Sequence, residues 1–491
     1  MLIDSCCTII CKATCIRKKG HFYMKSVLIG NGINIQFGGK AYYNDFILMR
    51  IMFNAKANKY NPLFDGLLSG EGIESIFRAF VDIANKARNG DYDRIGNSDD
   101  RKAIADFKDR YTVPVTKYYE IMLEDWFLLI RLFFIANADI KDQWQSAKQG
   151  FERMILDGIY NDGMLTDVHQ NMNKKVKRFF AGFDNIFSLN YDCNLEALTG
   201  RNVLHLHGNY SVPADSENPD TVEGYMRQQA GQLVVIDEFR HCFCNALLDY
   251  SGELKIKRAL NVKKGTTEMN RWLELSRRDE AEFKKQTALL RAKDEYAFQF
   301  VNTYVQNPNL KVGTDYHFEA LSNLEGELHI IGLSPNNDSH IFRCINESKL
   351  DKVWFYYFSE TNKDIPVAKP YEPLSVKDLW KSLDAEKKIY NNSYPIPDNP
   401  EVDKFIEVFN ALSFDPIPKK KIIDEVNSIP QFEATRLCTM VRKKMEEQKS
   451  RGNPKNEKEL ELDILEIGSI GLREGVLPAA LLMLYIMNYK N

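Results

Sequence analysis

The feature of this 491-residue chain that most restricts its fold is a set of short apolar segments. The first three, Val27–Asn34, Ile186–Asp192 and Val203–Gly208, each end in a polar or glycine-containing turn, and Leu328–Ile331 and Val353–Phe358 follow later. Strands buried on both faces have this nearly continuous apolar character, and helical patterns separate them along the chain. The sequence therefore predicts an α/β fold with a Rossmann-like, doubly wound parallel sheet.

Helical periodicity fills the region between the first two of these strands. Apolar residues recur at helical spacing from Ile73 to Ile83, which predicts a large helical insertion over about residues 45–178. The apolar run Trp126–Ile135 contains Arg131 and is too short to cross a bilayer, so we interpret it as a buried helix. A further strand is predicted at Leu233–Ile236, and surface helices are predicted at Glu268–Tyr304.

Prolines suggest where the α/β unit ends. Three of them fall within Ile365–Pro373, and proline stops both helices and central strands. This places the boundary between residues 365 and 366, with a catalytic α/β domain at 24–365 and an all-helical domain at 366–491. The helical domain contains the amphipathic stretch Leu460–Leu472 and the apolar segment Val476–Met487, which is either a core helix or an oligomer contact.

Composition argues against several classes of protein. The formal net charge is −3 with mixed signs, so nucleic-acid binding is not indicated. Residues 1–23 form an N-terminal extension in which Arg17–Lys19 follow the apolar stretch, unlike a secretory signal. The nine cysteines show no paired metal-type spacing, apart from four crowded at the N-terminus, Cys6, Cys7, Cys11 and Cys15. This favours a reduced, cytoplasmic setting, and no metal is expected. We also expect no membrane association.

The first turn has the composition of a phosphate-binding turn. Gly30 and Gly32 follow a strand directly, which allows the backbone to approach a ligand closely, and a helix follows. A plain strand-to-helix turn explains the two glycines as often. Asn31 and Asn34 either hydrogen-bond a ribose or cap the helix.

Reactive side chains follow the next two strands. Asn190 and Asp192 would lie at the carboxyl edge of the sheet, where open α/β folds bind ligands. Asp192 either supports positive charge on a sugar or caps the following helix. His207 would emerge at the same edge with a pKa suited to general-base work, whereas His205 lies within the apolar run and is the more structural of the two.

These pieces, in this order, resemble the motifs of the SIR2 (sirtuin-like) family. Its glycine turn corresponds to Gly30–Asn34, its Asn-x-Asp strand end to Leu189–Asp192, and its His-Gly motif to His207–Gly208. The segment Ile330–Asp338 resembles the late Gly-x-Ser turn, which in the family contacts the adenosine side of NAD. The resemblance extends over about Met24–Glu360.

Departures from the family pattern indicate which members of the family the chain resembles most. Only one closely spaced cysteine pair, Cys242 and Cys244, follows the histidine, with no second pair in range, so the four-cysteine zinc module of the deacylases is not supported. Asn31 and Asn34 replace the family's alanine and serine. The large helical insertion resembles the SIR2-like effectors of bacterial antiphage defence, and the turn followed by Tyr43–Phe46 is also similar to AbiH-type abortive-infection proteins.

The resemblance implies an NAD glycohydrolase that cleaves NAD to nicotinamide and ADP-ribose and stops phage spread by depleting NAD. It implies three catalytic residues, Asn190, Asp192 and His207. It also implies seven NAD-binding residues, Gly30, Asn31, Gly32, Asn34, Gly332, Ser334 and Asp338. NAD is then the substrate, and a homo-oligomer and a partner defence protein such as an ATPase are expected.

Two rival interpretations use the same pocket. A sensor or assembly module would bind NAD or ADP-ribose without turnover, and its binding would survive loss of His207. A deacylase would need an acyl-lysine groove and usually the zinc module, and the sequence offers neither clearly. We rank the deacylase third.

Overall fold

One parallel sheet organises the chain. A computed structural model describes residues 24–232, 235–248, 252–335, 338–387, 400–412, 417–452, 454 and 456–489, so the N-terminal extension lies outside the described residues. The strands are β1 (Lys25–Ile29), β2 (Asn185–Ser188), β3 (Leu204–His205), β4 (Glu325–Ile331), β5 (Lys349–Tyr357) and β6 (Tyr371–Ser375). Every pair of neighbours runs parallel. The predicted Rossmann-like α/β class is confirmed.

The strand order defines a switch point at the centre of the sheet. The order is β3-β2-β1-β4-β5-β6, so the sheet grows in one direction from β1 through β2 and in the other through β4. Ligands of open α/β sheets bind outside the carboxyl ends of the strands where the order reverses. In this protein that position is the pair of turns that follow β1 and β4.

A large helical insertion separates β1 from β2, as predicted. Its helices are α1 (Gly32–Gly38), α2 (Asn44–Lys56), α3 (Gly70–Asn89), α4 (Ser98–Arg110), α5 (Leu123–Ala136), α6 (Trp144–Tyr160) and α7 (Lys174–Ala181). The periodic face of α3 is buried, and Asn97 begins α4 with a capping box. The predicted buried helix is α5, whose Trp126 is fully enclosed among phenylalanines of α3.

Helices also follow the other strands. They are α8 (Asn194–Thr199), α9 (Val222–Gln229), α10 (Glu253–Arg278), α11 (Glu280–Lys293), α12 (Glu295–Gln306), α13 (Phe318–Ser322), α14 (Ser339–Glu347) and α15 (Val376–Ser382). The surface helices predicted at 268–304 correspond to α10, α11 and α12. The strand predicted at Leu233–Ile236 is wrong where it can be judged: Leu233 and Val234 lie outside the described residues, and Val235 and Ile236 pack outside the sheet against the insertion.

The domain boundary predicted at 365/366 cuts through the sheet and is corrected. Strand β6 pairs in parallel with β5, with Phe355 opposite Pro373, and α15 packs beside it. The prolines of this segment had indicated the end of the sheet. Because β6 is an edge strand, Pro373 is tolerated there without breaking an interior ladder.

The C-terminal part is helical, as predicted, and packs on the insertion rather than on the sheet. Its helices are α16 (Pro400–Leu412), α17 (Lys419–Ser428), α18 (Gln431–Arg451), α19 (Glu457–Glu474) and α20 (Pro478–Tyr489). Phe46 and Phe53 of α2 belong to its core. The buried guanidinium of Arg50 donates to the carbonyls of Gly158 and Leu472, which joins the insertion to α19.

Length and hydropathy decide whether a helix could span a membrane. Among the helices of the described residues, no single one is both long enough and apolar enough to cross a bilayer. Helices α19 and α20 satisfy that criterion only as a pair, across a bend of 102°. The side chains of α20 are largely buried in the C-terminal core.

Candidate functional site at the carboxyl edge of the sheet

Three glycines form the junction between the turns after β1 and β4. The Gly30 N–H donates to the carbonyl of Ile331, and the Gly32 N–H donates to the carbonyl of Gly332, both at 2.9 Å. A Cβ on Gly30 would lie 2.5 Å from the Gly332 oxygen, and one on Gly32 would lie 2.6 Å from the Gly332 Cα. Gly332 itself has a φ of +75°. Glycine is required here because the two turns touch each other, whatever ligand they also approach.

Asn190 is tied to this junction. It follows β2, its Nδ2 donates to the Gly30 carbonyl at 3.3 Å, and its N–H donates to Ser188 Oγ at 3.0 Å. The side chain is partly exposed, so its amide is held in place but still accessible. The predicted pairing of the first glycine turn with the Asn190 strand end is therefore present in the fold.

Asp192 has two hydrogen-bond partners, one of which lies at the start of the following helix as the capping interpretation predicts. Its Oδ1 accepts the N–H of Asn194 at the start of α8, at 3.0 Å, and its Oδ2 accepts Asn34 Nδ2 at 2.7 Å. Burial raises the pKa of Asp192, while these two donors oppose the rise. Asn34 Oδ1 is buried without a hydrogen-bond partner among the described residues, whereas Asn31 donates to the Tyr42 carbonyl and does not cap α1.

His205 belongs to what we call the His205 cluster, composed of Cys193, Glu196 and His205. The Nε2 of His205 lies 2.6 Å from Glu196 Oε1, and Nδ1 lies 3.0 Å from the Asn190 carbonyl. Burial disfavours the imidazolium, but hydrogen bonds to Cys193 and Glu196 outweigh it and raise the pKa of His205 to about 10. At neutral pH this ring is a cation that donates from both nitrogens.

His207 lies in a second group, the His207 cluster, composed of His207, Asp338, His340 and Lys255. His207 is 3% exposed, its Nε2 lies 3.0 Å from His340 Nε2, and its Nδ1 lies 3.4 Å from Lys255 Nζ. Burial lowers the pKa of His207 well below its usual range, and the Lys255 charge and His340 lower it further. His207 is therefore neutral at pH 7.

The hydrogen bonds of the His207 cluster fix its tautomers. An ammonium only donates, so Nδ1 of His207 accepts from Lys255 and the ring proton is on Nε2. That N–H donates to Nε2 of His340, whose own proton is then on Nδ1. This Nδ1 is a buried atom without a hydrogen-bond partner among the described residues. The lone pair that His207 would use as a base is engaged by Lys255.

Asp338, predicted to bind NAD, lies beside His207 and His340. Its carboxylate and the ring nitrogens of His207 and His340 lie within 4.8 Å of one another. Burial raises the pKa of Asp338 to about 7, with Lys255 lowering it and Glu124 raising it. Ser334 is exposed on the same turn.

A small cavity adjoins Lys255 and His340 of the His207 cluster. The adjoining cavity is bounded by Glu124, Lys255 and His340 and has a volume of about 10 Å³. That is room for about one water molecule, whereas ligand pockets usually measure about 300–1,000 Å³.

The predicted residues thus fall into two neighbouring groups. Asn190 is hydrogen-bonded to Gly30, and Asp192 is hydrogen-bonded to Asn34, but among the described residues no hydrogen bond joins His207 to Asn190 or Asp192. Four polar neighbours were not predicted from the sequence, namely Glu124, Glu196, Lys255 and His340. The spacing Asp338-x-His340 after a predicted turn was a usable signal, whereas nothing distinguished Lys255 within its charged helix.

Comparisons of the chain with protein-family models, with curated proteins and with solved structures found no match. A functional assignment for this chain therefore depends on its fold, its motifs and its side-chain geometry.

Proposed function

We propose that this protein is an NAD glycohydrolase of the SIR2-like group, which converts NAD and water to nicotinamide, ADP-ribose and a proton. The observation that carries the proposal is that Gly30, Asn190, His207 and Gly332 follow the carboxyl ends of β1, β2, β3 and β4, with Gly30 in contact with both Asn190 and Gly332. The switch point of a sheet with this strand order is where dinucleotides bind. The motif resemblance assigns the same residues to NAD.

The chemistry needs stabilisation of an oxocarbenium-like sugar and a base for the incoming water. Asn190, held to the Gly30 carbonyl, orients the ribose or the water, and Asp192 supports the positive charge. Neutral His207 accepts the proton from water or from a ribose hydroxyl once its Nδ1 leaves Lys255. The dinucleotide is bound by the seven NAD-binding residues, Gly30, Asn31, Gly32, Asn34, Gly332, Ser334 and Asp338.

The proposal includes a cytoplasmic role in antiphage defence by NAD depletion. An NAD hydrolase of this kind is toxic to its own cell unless it is restrained. We therefore expect control by homo-oligomerisation or by a partner defence protein such as an ATPase. The burial of His207 agrees with such control, because a buried base must become accessible before it acts.

The test is nicotinamide release from NAD by the purified full chain, with and without lysate of phage-infected cells. His207→Ala should abolish release. The matched control is His329→Ala, since His329 is a comparably buried histidine within β4 that hydrogen-bonds Tyr356. Release that persists in His207→Ala would contradict the proposed base, and equal loss in both variants would indicate a folding defect instead.

One observation favours a second candidate, an NAD or ADP-ribose sensor. The Lys255 contact occupies the lone pair of His207, an arrangement that suits a binding group better than a base. A sensor would bind NAD in an equilibrium assay without releasing nicotinamide under any condition, and binding would survive in His207→Ala. This alternative is excluded if the parent protein releases nicotinamide and the His207→Ala variant does not.

A further inference from the structure

Glu196 carries an oxygen that the fold leaves without a partner. Oε1 of Glu196 meets His205 at 2.6 Å, but Oε2 is buried and accepts no hydrogen bond from the described residues. A buried carboxylate oxygen without a donor is costly. Such an atom indicates a missing cation or donor at this position.

The other members of the His205 cluster supply suitable ligands. A thiol sulfur, a ring nitrogen and a carboxylate oxygen from Cys193, His205 and Glu196 all lie within 4.8 Å of one another. Sulfur, imidazole and carboxylate together are the donors of zinc-type sites, and three protein ligands leave one position for water. Cys193 and Glu196 are partly exposed, so an ion can enter.

We propose that Cys193, Glu196 and His205 bind one divalent transition-metal ion of the Zn²⁺ class. The ion takes the place of the proton on Nε2 of His205 and of the thiol proton of Cys193. The sequence had predicted no metal, because these three ligands do not form paired cysteine spacings. The proposal stands independently of the NAD chemistry.

The surroundings of His205 support this assignment. Ligating histidines usually donate their second ring N–H to a backbone carbonyl or a carboxylate, which orients the ring. Here Nδ1 lies 3.0 Å from the Asn190 carbonyl, so Nε2 is the nitrogen left for the ion. Through this contact between His205 and the Asn190 carbonyl, the ion would hold in place the turn that follows β2.

A second group with metal-ligand composition is less suitable. It consists of Asp157, His241 and Cys242. Asp157 already accepts from Lys59 at 2.8 Å, Tyr60 at 2.9 Å and His241 at 3.1 Å. Both carboxylate oxygens are satisfied, and the Lys59 ammonium occupies the place of a cation.

The His207 cluster is also less suitable. The Nε2 atoms of His207 and His340 hydrogen-bond each other, and Lys255 places a buried positive charge 3.4 Å from His207. A dication would be repelled by that charge. Within the described residues, by contrast, no lysine or arginine is ion-paired with a member of the His205 cluster.

Cobalt titration tests the proposal because Co²⁺ replaces Zn²⁺ and reports on thiolate ligands. Cys6, Cys7, Cys11 and Cys15 are changed to serine in the full chain, so that the N-terminal extension cannot contribute thiolates. We expect one equivalent of Co²⁺ to produce a thiolate charge-transfer band and the visible bands of a tetrahedral site, and Zn²⁺ to displace it. Glu196→Gln should weaken Zn²⁺ binding about a hundredfold, measured by chelator competition.

Cys193→Ser should remove the charge-transfer band, and Cys242→Ser should leave it intact. Cys242 is the matched control because it belongs to the second group of ligands. A band that survives in Cys193→Ser, or that disappears in Cys242→Ser, would overturn the proposal, as would binding without any charge-transfer band. Near-ultraviolet circular dichroism of each variant verifies that it is folded, and Glu196→Gln provides a second readout that leaves every cysteine in place.

Discussion

The His205 and His207 clusters show how two histidines separated by one residue acquire opposite properties. His205 faces Glu196 and the Asn190 carbonyl, which keep its ring charged. His207 faces Lys255 and His340 in a closed interior, which keeps its ring neutral. Burial lowers the pKa of both rings, so the neighbours decide the outcome. The lesson is that the charge of a histidine at a strand end depends on which helices pack against it.

The largest expected difference between the two clusters is in the rate of nicotinamide release when each histidine is replaced. We expect His207→Gln to reduce nicotinamide release by about 10²- to 10⁴-fold, because it removes the general base. His205→Gln should reduce it by only about tenfold, because it disturbs the position of Asn190 without touching the reacting atoms. Steady-state nicotinamide release measures both losses, and equal losses would remove the distinction between base and positioning residue.

The glycine junction should stabilise the carboxyl edge of the sheet, where both clusters lie. Gly30→Ala is expected to lower the free energy of unfolding by about 3 kcal/mol, since the added Cβ meets the Gly332 backbone at 2.5 Å. Gly200→Ala is the control: its φ is +71° and nothing lies within 4 Å, so about 1 kcal/mol is expected. Urea unfolding measures the loss of stability in both variants. Similar losses would show that the two turns can move apart at little cost in free energy.

The clusters should give opposite slopes of stability against pH. The folded pKa of His205 is raised from 6.5 to about 10, so its stabilisation is complete below about pH 6.5 and is lost as pH rises towards 10. His207 has a lowered folded pKa, so the unfolded chain binds its proton first and stability falls as pH drops below about 6.5.

Glu196→Gln tests the alkaline slope. It removes the carboxylate that favours the imidazolium of His205, so the loss of stability between neutral pH and about pH 10 should shrink by about 1–2 kcal/mol. The acid slope should not change, because Glu196 makes no contact with His207. Urea unfolding over this pH range with a chelator present measures both, and an unchanged alkaline slope would contradict the charge assigned to His205.

Of these substitutions, Lys255→Met should have the smallest effect, and the effect should be confined to the His207 cluster. Loss of the ammonium should raise the pKa of His207, while burial continues to hold it below its usual range. Histidine NMR titration measures the shift, with the pKa of His205 as an internal reference. A fall in the pKa of His207, or an equal shift of both histidines, would show that Lys255 does not act on His207 directly.

Much of the fold was predictable because it depends on local patterns. The continuous apolar runs predicted β1 to β5, and helical periodicity predicted the insertion and the C-terminal helices. The last strand, β6, was missed because Pro373 is compatible with a strand only at an edge, and edge positions are a property of the assembled sheet. The site was predicted in part: Asn190 does meet Gly30, but Lys255 and His340 come from distant helices.

The sequence by itself determined a parallel α/β sheet, a helical insertion, and polar residues at the strand ends, because side-chain periodicity and turn chemistry act over a few neighbouring residues. Only the tertiary structure decided that three glycines pack against one another, that His205 is charged and His207 neutral, and that Glu196 lacks a partner for one oxygen. These properties depend on burial and on contacts between residues far apart in the chain, such as Gly30 with Gly332, and His207 with His340, which is 133 positions away. Electrostatic and packing energies depend on distance in space, which a linear pattern does not specify.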